Sequence, residues 1–429
     1  MKWTNWAGNQ TARPEGFLRP RDEAEVQEAV AGAHREGRAL RVVASGHSFT
    51  DTAVSHDLMM SIGALSGIRA VDRDAMTVTV GAGTRLSDLN DLLHAEGLAM
   101  PNLGDIAYQT VAGAVSTSTH GTGITLGGLA AQVRGMVLVD GRGQRVVCSP
   151  SENPDLLHAG RVSVGSLGVI TEYTLAVVPA FLLNAVEEPM RVDAVLSGLD
   201  GLVSGNDHFE FFWVPHTGWA LTKRNNRTDG PREPLPRVRG WFEKTFMENY
   251  AFGAVCAAGR MVPSAIPRLA RALPASGRRS YTDDSHRIFA SPRLVRFYEM
   301  EQALPVDALP DALNEVRAMV DRKGYRLNFP VEVRFTAADD IPLSTASGRT
   351  SAYIAVHVYK GMQHEAFMRD VEEIMRRHDA RPHWGKIHFR DADELSGLYP
   401  QWDTFQDARN RLDPDRTFRN DYSRRVLGA

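Results

Sequence analysis

The stretch "VVASGHSFTD", residues 42–51, decides how the first half of the chain reads. Val42 and Val43 are β-branched and read as the end of a buried strand. Ala44, Ser45, Gly46 and Ser48 are small, so the backbone there can approach a bound group closely, and His47 would reach that group. No second His or Cys stands within four residues of His47, so the spacing does not suit a metal site. Neither Ser45 nor Ser48 lies in a G-x-S-x-G elbow, which leaves an imidazole presented on a tight turn.

Upstream, Asp22 and Glu25 suggest a capping box opening a helix with the stripe Val26, Ala29, Val30, Ala33 and a stop at Gly37. Downstream, "MTVTVGAG" alternates as a half-buried strand, and Leu86, Leu89, Leu92 and Leu93 mark a helix ending at Gly97. "MVLVDGRGQRVVCS" reads as a hairpin turning at Asp140-Gly141, and "VGSLGVITEYTLAVV" as a glycine-punctuated strand. Between them lies "PNLGDIAYQTVAGAVSTSTHGTG", residues 101–123, dense in glycine and hydroxyl side chains. Val111, Ala112, Ala114 and Val115 make it too apolar for a surface loop, so it reads as a cradle for a pyrophosphate. "GAGTRLSD" and "HGTGITLGG" both miss the G-x-G-x-x-G register, which argues against a nicotinamide Rossmann domain.

A chain of 429 residues with net charge −3 and 43% hydrophobic residues suggests two domains and gives no case for nucleic acid or a membrane surface. Cys148 and Cys256 alone cannot make a disulfide framework, and the N-terminus carries no apolar leader, so a cytoplasmic protein is expected. The texture changes near residue 181, from glycine-rich mixed elements to longer strands and helices: "HFEFFWV", "LNFPVEVRF", "SAYIAVHVY" and the amphipathic "EAFMRDVEEIMRRHD". "KRNNRTDGPREPLPR", residues 223–237, reads as an exposed loop. In "VEVRF", Val331, Val333 and Phe335 share one strand face and Glu332 and Arg334 the other, which by itself suits an exposed ion pair. "RPHWGKIHF" groups His383, Trp384 and Lys386 around a glycine.

Six of these pieces occur together and in order: "SGHS", "PNLG…TVAG…STHGTG", "VGSLGVIT", "EVR", "HWGK" and "LDPDRTFRNDY". The chain resembles the vanillyl-alcohol-oxidase-type flavoproteins, in the branch of aldonolactone oxidases and alditol oxidases, over almost its whole length. The resemblance implies an α+β protein. A two-subdomain PCMH-type FAD-binding domain would span residues 1–180, and a cap domain on an antiparallel sheet flanked by helices residues 181–395. Residues 396–429 would return to the FAD domain. It also implies FAD, joined covalently through His47. The turn Val42, Val43, Ala44, Ser45, Gly46, Ser48 would lie on one side of the cofactor, and Thr110, Gly113, Ala114, Val115, Ser116 on the other. Gly168 and Ile170 would touch its edge, Gly104 and Asp105 would approach the flavin, and His383 would sit against the ring.

Carried over likewise, Glu332, Arg334 and Lys386 become the catalytic set, with Asp105, His357 and Tyr359 facing substrate. The implied reaction is oxidation of a sugar-derived hydroxyl, most simply in an aldono-1,4-lactone, with oxygen reduced to peroxide. A polyol as substrate, or another electron acceptor, is the alternative. Alditol oxidases carry Ala-Ser where this chain has Gly104-Asp105, and a threonine on the "HVY" strand, so the polyol pocket should differ. A glycine at 104 goes with oxygen access in the lactone enzymes. No heptads or interface stripe occur, so a monomer is expected.

Overall fold

The structure, a computed structural model, describes residues 1–272, 277–291 and 293–429. Asp22 caps the first helix, Glu23–Arg35, by accepting from the Glu25 N–H at 2.9 Å, and Gly37 ends it with φ +67°. The Glu25 carboxylate does not complete a capping box: it turns back to the Arg21 N–H and guanidinium instead. Val26, Val30 and Ala33 of this helix enter a core shared with strands on both sides.

Three sheets carry the molecule. Gly16–Leu18, Leu58–Ser61 and Leu40–Val43 form a small parallel sheet. A five-stranded antiparallel sheet runs in the order Arg145–Cys148, Val133–Val139, Val169–Ala176, Thr77–Gly81, Ile68–Asp72. Its hairpin turns at Asp140-Gly141, as expected: the Gly143 N–H donates to the Asp140 carbonyl at 3.1 Å, Gly143 follows at φ +86°, and the Asp140 carboxylate accepts from the Arg142 and Gln144 N–H groups.

The third sheet is antiparallel and has eight strands: Arg279–Asp284, Leu182–Arg191, Trp219–Thr228, His208–Trp213, Val331–Thr336, Ser351–Tyr359, Phe297–Pro305 and Arg381–Pro382. Residues 223–228, read as loop from their polarity, are the second half of a ten-residue strand paired on both edges. Helices Leu309–Lys323 and Glu365–Arg376 cover one face of this sheet, burying Leu313, Val316, Val320, Phe367, Val371 and Met375 against Val331, Val333, Ile354 and Val356. The other face is polar and is also covered: Glu332 is 7% exposed and Arg334 6%. The exposed ion pair expected from the alternation is therefore a buried one.

The C-terminal helices Trp402–Leu412 and Asp421–Leu427 pack into the first core beside Val26, Leu40 and Val169. The architecture is α+β, with helices segregated onto antiparallel sheets. No described helix is long and apolar enough to cross a membrane.

Candidate active site

The strand Leu40–Val43 ends in the turn 44–48, and Gly46 there takes φ +68°. Side chains other than glycine rarely adopt that conformation, and a Cβ at Gly46 would also stand 3.2 Å from the Trp3 ring. The turn leaves the N–H groups of Ser45, Gly46, His47 and Ser48 without a protein acceptor among the described residues, and the Ser45 hydroxyl is buried and unpaired. Four consecutive free donors and an orphaned hydroxyl on small residues make an anion-binding concavity.

They line a cleft shared with Val42, Ala44, Thr110, Gly113, Ser116, Gly168 and Ile170. On the far wall, the helix Val111–Ser116 does not offer free amides. Its first N–H groups are spent on Thr84 and Ala82 carbonyls and the Thr110 hydroxyl. What it contributes is closeness: a Cβ at Gly113 would lie 3.3 Å from the Ala44 Cβ. Of the residues expected here, Val43, Ala114 and Val115 do not line the cavity; their side chains fill the cores behind it. Val164, on the rim, is held at φ +51°, an uncommon conformation for a β-branched residue.

His47 lines the same cavity and stacks on Trp6, ring centroids 5.5 Å apart. Burial, helped by Arg85, pushes its imidazole down to about 4, so the ring is neutral at pH 7 and keeps a nucleophilic lone pair. Donors, hydroxyl and neutral imidazole along one cleft together suit a flavin nucleotide with its pyrophosphate on the turn.

The second half of the site is the polar face of the large sheet. Cross-strand register sets Glu332 opposite Ala355, and Ala355 opposite Glu301. In the next row His357 lies opposite Glu299. Alanine between the two carboxylates keeps the middle of the face open. Arg334 reaches Glu210 at 3.0 Å and Asp105 at 3.1 Å, and also pairs with Glu332. Lys386 pairs with Glu299 and lies 3.7 Å from Glu301.

Burial works against both cations, yet the surrounding carboxylates outweigh it and hold Arg334 and Lys386 above their ordinary values. Glu332 is the group left undercompensated. Burial pushes its carboxyl up to about 7, Arg334 opposes this, and Asp105 and Glu210 add repulsion. His357 Nε2 lies 3.4 Å from Glu299, which raises its imidazole against the effect of burial.

The two halves meet at the "HWGK" turn. The Phe49 N–H donates to the Gly385 carbonyl at 2.7 Å, and the Thr50 hydroxyl to the Trp384 carbonyl at 3.3 Å. His383 is buried on this turn, 6.1 Å from the His120 ring and close to Glu301 and Lys386. Burial lowers its imidazole to about 3.

Gly104 and Asp105 are outside the lining of the flavin cavity. Asp105 instead salt-bridges Arg334 and Arg293, the latter at 2.7 Å, and is fully committed to cations. Tyr359 is separated from the polar cluster by Phe329, which lies 6.0 Å from the His357 ring and 6.5 Å from its own. It lines a different cavity with Tyr250, Arg260 and Lys360. Its expected place beside substrate is not where the structure puts it.

Sequence reading passed over Glu210, Glu299, Glu301, Arg293, Lys223 and His120. A signal existed for three of them. "HFEFFWV" and "FYEMEQALP" set acidic residues among apolar ones in strands, the same alternation that singled out Glu332. Arg293, in an irregular stretch, had none.

Comparison with known proteins agrees with this geometry. The family described as D-arabinono-1,4-lactone oxidase matches residues 173–426, and the FAD binding domain matches residues 14–149. The chain is 44% identical over 427 residues to L-gulono-1,4-lactone dehydrogenase of Mycobacterium tuberculosis, covering 99% of each. It is 32% identical to L-gulonolactone oxidase of Mus musculus, covering 100% of this chain and 98% of that one. With alditol oxidase of a Streptomyces species it shares 31% identity, covering 99% and 98%. Cholesterol oxidase from B. sterolicum shares the fold at TM-score 0.84 with 17% identity, covering 99% and 96%. With a small-residue turn of free donors beside a buried polar sheet face, these matches lead to one conclusion: the chain belongs to the D-arabinono-1,4-lactone oxidase family and is an FAD-dependent oxidoreductase.

Proposed function

We propose that the enzyme oxidises the secondary hydroxyl of an aldono-1,4-lactone at the carbon next to the ring carbonyl. The observation that carries this is two cations converging on one polar sheet face beside the turn that carries His47: Arg334, buried on the sheet, and Lys386, partly buried on the "HWGK" turn and paired with Glu299 of the sheet. A lactone offers a carbonyl and an adjacent hydroxyl to two such groups, whereas a linear polyol offers no carbonyl. Relatives named for gulonolactone and arabinonolactone support the same choice.

FAD, when bound, supplies the acceptor for the hydride leaving the carbinol carbon. Arg334 and Lys386 bind the substrate oxygens and stabilise negative charge as it develops there, in a site shielded from water. Glu332 accepts a hydrogen bond from a neighbouring hydroxyl and fixes which carbon faces the cofactor. The free amides of residues 45–48 hold the pyrophosphate, and neutral His47 is the attachment point. Asp105, salt-bridged to Arg334, shapes the pocket through that arginine, which is where this chain departs from alditol oxidases. Gly104 leaves room before the His120 carbonyl, which a Cβ would approach to 3.1 Å, and keeps oxygen access open. Oxygen is the proposed acceptor. The relative named a dehydrogenase favours a different one.

The visible spectrum of the purified protein before and after acid precipitation tests the cofactor: a yellow pellet is expected, and a white pellet under a yellow supernatant would remove the covalent role of His47. Anaerobic bleaching by a lactone panel against a polyol panel tests the substrate. Peroxide yield against reduction of an artificial dye decides the acceptor.

A further inference from the structure

Cross-strand register places five charged residues in one row of the large sheet, on five adjacent strands. Arg279 lies opposite Glu187, Glu187 opposite Lys223, and Lys223 opposite Glu210. The pairing of Phe211 with Val333 puts Glu210 opposite Arg334. Their charges alternate without a break, from the sheet's edge to the substrate site.

We propose that Glu210, Lys223, Glu187 and Arg279 form a charge ladder that positions Arg334 for substrate, with Glu210 and Lys223 as its inner positioning residues. The proposal rests on the reading of Arg334 as a substrate-binding group.

The contacts along the row support it. Glu210 accepts from Arg334 Nε at 3.0 Å, while Nη2 of the same guanidinium faces Asp105 and Glu332. Lys223 Nζ lies 3.3 Å from the other Glu210 oxygen, so the carboxylate is held at both ends. At the far end Arg279 donates from Nε to Glu187 at 2.7 Å, and the Tyr281 hydroxyl donates to the same carboxylate at 3.1 Å. Glu187, Glu210 and Arg334 are each under a tenth exposed, whereas Arg279 reaches solvent, its side chain 17% exposed. An isolated buried pair would suffice to satisfy Arg334. Lys223 and Glu187 face each other in register without a direct salt bridge, and Lys223 Nζ also donates to the Ile288 carbonyl at 3.4 Å, so the middle link acts through the field rather than through contact. With Glu210 held from both sides, the guanidinium loses the freedom to swing toward Asp105 or Glu332 alone.

The row also sets the field at Glu332. The groups acting on that carboxyl are Arg334 on its own strand, Asp105 and Glu210 from packed elements, and His357 across the sheet, with Lys386 also within its field. Glu210 itself faces Lys223, Arg334 and Asp105. Lys223 faces Glu210, Glu187 and Asp105, with Lys244 nearby. Arg293 neutralises Asp105 from the loop side. Removing Glu210's charge relieves repulsion on Glu332, while removing Lys223 leaves Glu210 uncompensated and increases it. Two variants in one salt bridge should therefore move the same titration in opposite directions.

The test uses the FAD-loaded enzyme and the pH dependence of kcat/KM with the best lactone. Glu210→Gln and Lys223→Met are expected to lower kcat/KM by about tenfold to a hundredfold through misplacement of Arg334. The acid limb should shift to lower pH in Glu210→Gln and to higher pH in Lys223→Met. Lys223→Arg should restore both rate and limb. A limb that stays in place, or moves the same way in both variants, overturns the ladder. So does a failure of Lys223→Arg to rescue. If Lys223→Met does not fold, Arg279→Gln at the solvent end serves instead, with a smaller shift in the same direction expected; no shift there overturns the proposal. Arg334→Met separates the two levels. Full activity in that variant would sink the substrate-site reading, whereas loss of activity there with unaltered Glu210→Gln and Lys223→Met sinks the ladder alone.

Discussion

Glu332 is the residue on which the pH behaviour of the site turns. In the proposed role it accepts a hydrogen bond from a substrate hydroxyl only when ionised, and its carboxyl sits at about 7 because burial outweighs Arg334. Lactone kcat/KM should therefore rise with pH through about 7, and Glu332→Gln should abolish that limb while lowering the plateau. A flat profile between pH 6 and 8 in the unmodified enzyme would contradict this. Arg334→Met should cost about a hundredfold or more in kcat/KM, the scale of losing one charged donor to a developing oxyanion. His383 gives a stability prediction. Its imidazole sits near 3 when folded against an ordinary 6.5 when unfolded. Below pH 6.5 the unfolded chain takes a proton that the folded one refuses, so stability is lost as pH falls from 6.5 toward 3. At pH 5 the cost is ~2 kcal/mol. The Tm gap between wild type and His383→Gln should thus narrow, or reverse, from pH 7.5 to pH 5. A gap independent of pH would show that the fold does not lower the His383 imidazole.

The elements show what sequence could and could not carry. The strand holding Glu332 and Arg334 was legible because Val331, Val333 and Phe335 alternate with them and mark the buried face. Their burial was not, since a strand's polar face says nothing about what covers it. The strand Trp219–Thr228 was misread in its second half for a related reason. "KRNNRT" lacks the apolar alternation that marks a strand, because its residues are satisfied by charged partners on neighbouring strands, Lys223 by Glu210 and Arg224 by Glu188. The tight turn 44–48 was legible from its small residues, while Val43, Ala114 and Val115, which pack into the cores, could not be told apart from its lining. Close approach also predicts a weak point. Gly168 starts the strand Val169–Ala176 at φ +157°, and a Cβ there would come within 2.6 Å of the Val139 carbonyl. Gly168→Ala should destabilise the fold by about 1–3 kcal/mol and weaken flavin retention, read as a lower urea midpoint and a lower absorbance ratio of flavin to protein. An unchanged midpoint would mean that the strand entrance shifts freely.

At the scale of the whole molecule, the turn around His47 is braced by the chain's last residues. Arg41, buried beneath it, donates to the Phe418 carbonyl at 2.6 Å and to the Thr52 carbonyl at 2.8 Å. The Leu40 N–H donates to Thr417, and the Asn420 side chain to the carbonyls of Asp51 and Val54, each at 2.9 Å. Tyr422 donates to the Trp384 carbonyl at 2.7 Å, which fixes the turn that carries Lys386. Removing residues 416–429 should leave a protein that loses flavin on gel filtration, and a truncated chain that keeps stoichiometric flavin would contradict this bracing role. The same clasp sets an order of events in the cell. The turn and its clasp lie far apart in the chain: Phe418 and Asn420 meet Arg41, Asp51 and Val54 across 366 to 377 positions. A nascent chain that has not reached Phe418 holds Arg41 against the Thr52, Val164 and Gly165 carbonyls but lacks the Phe418 one, so the bracing of the turn is completed late in synthesis.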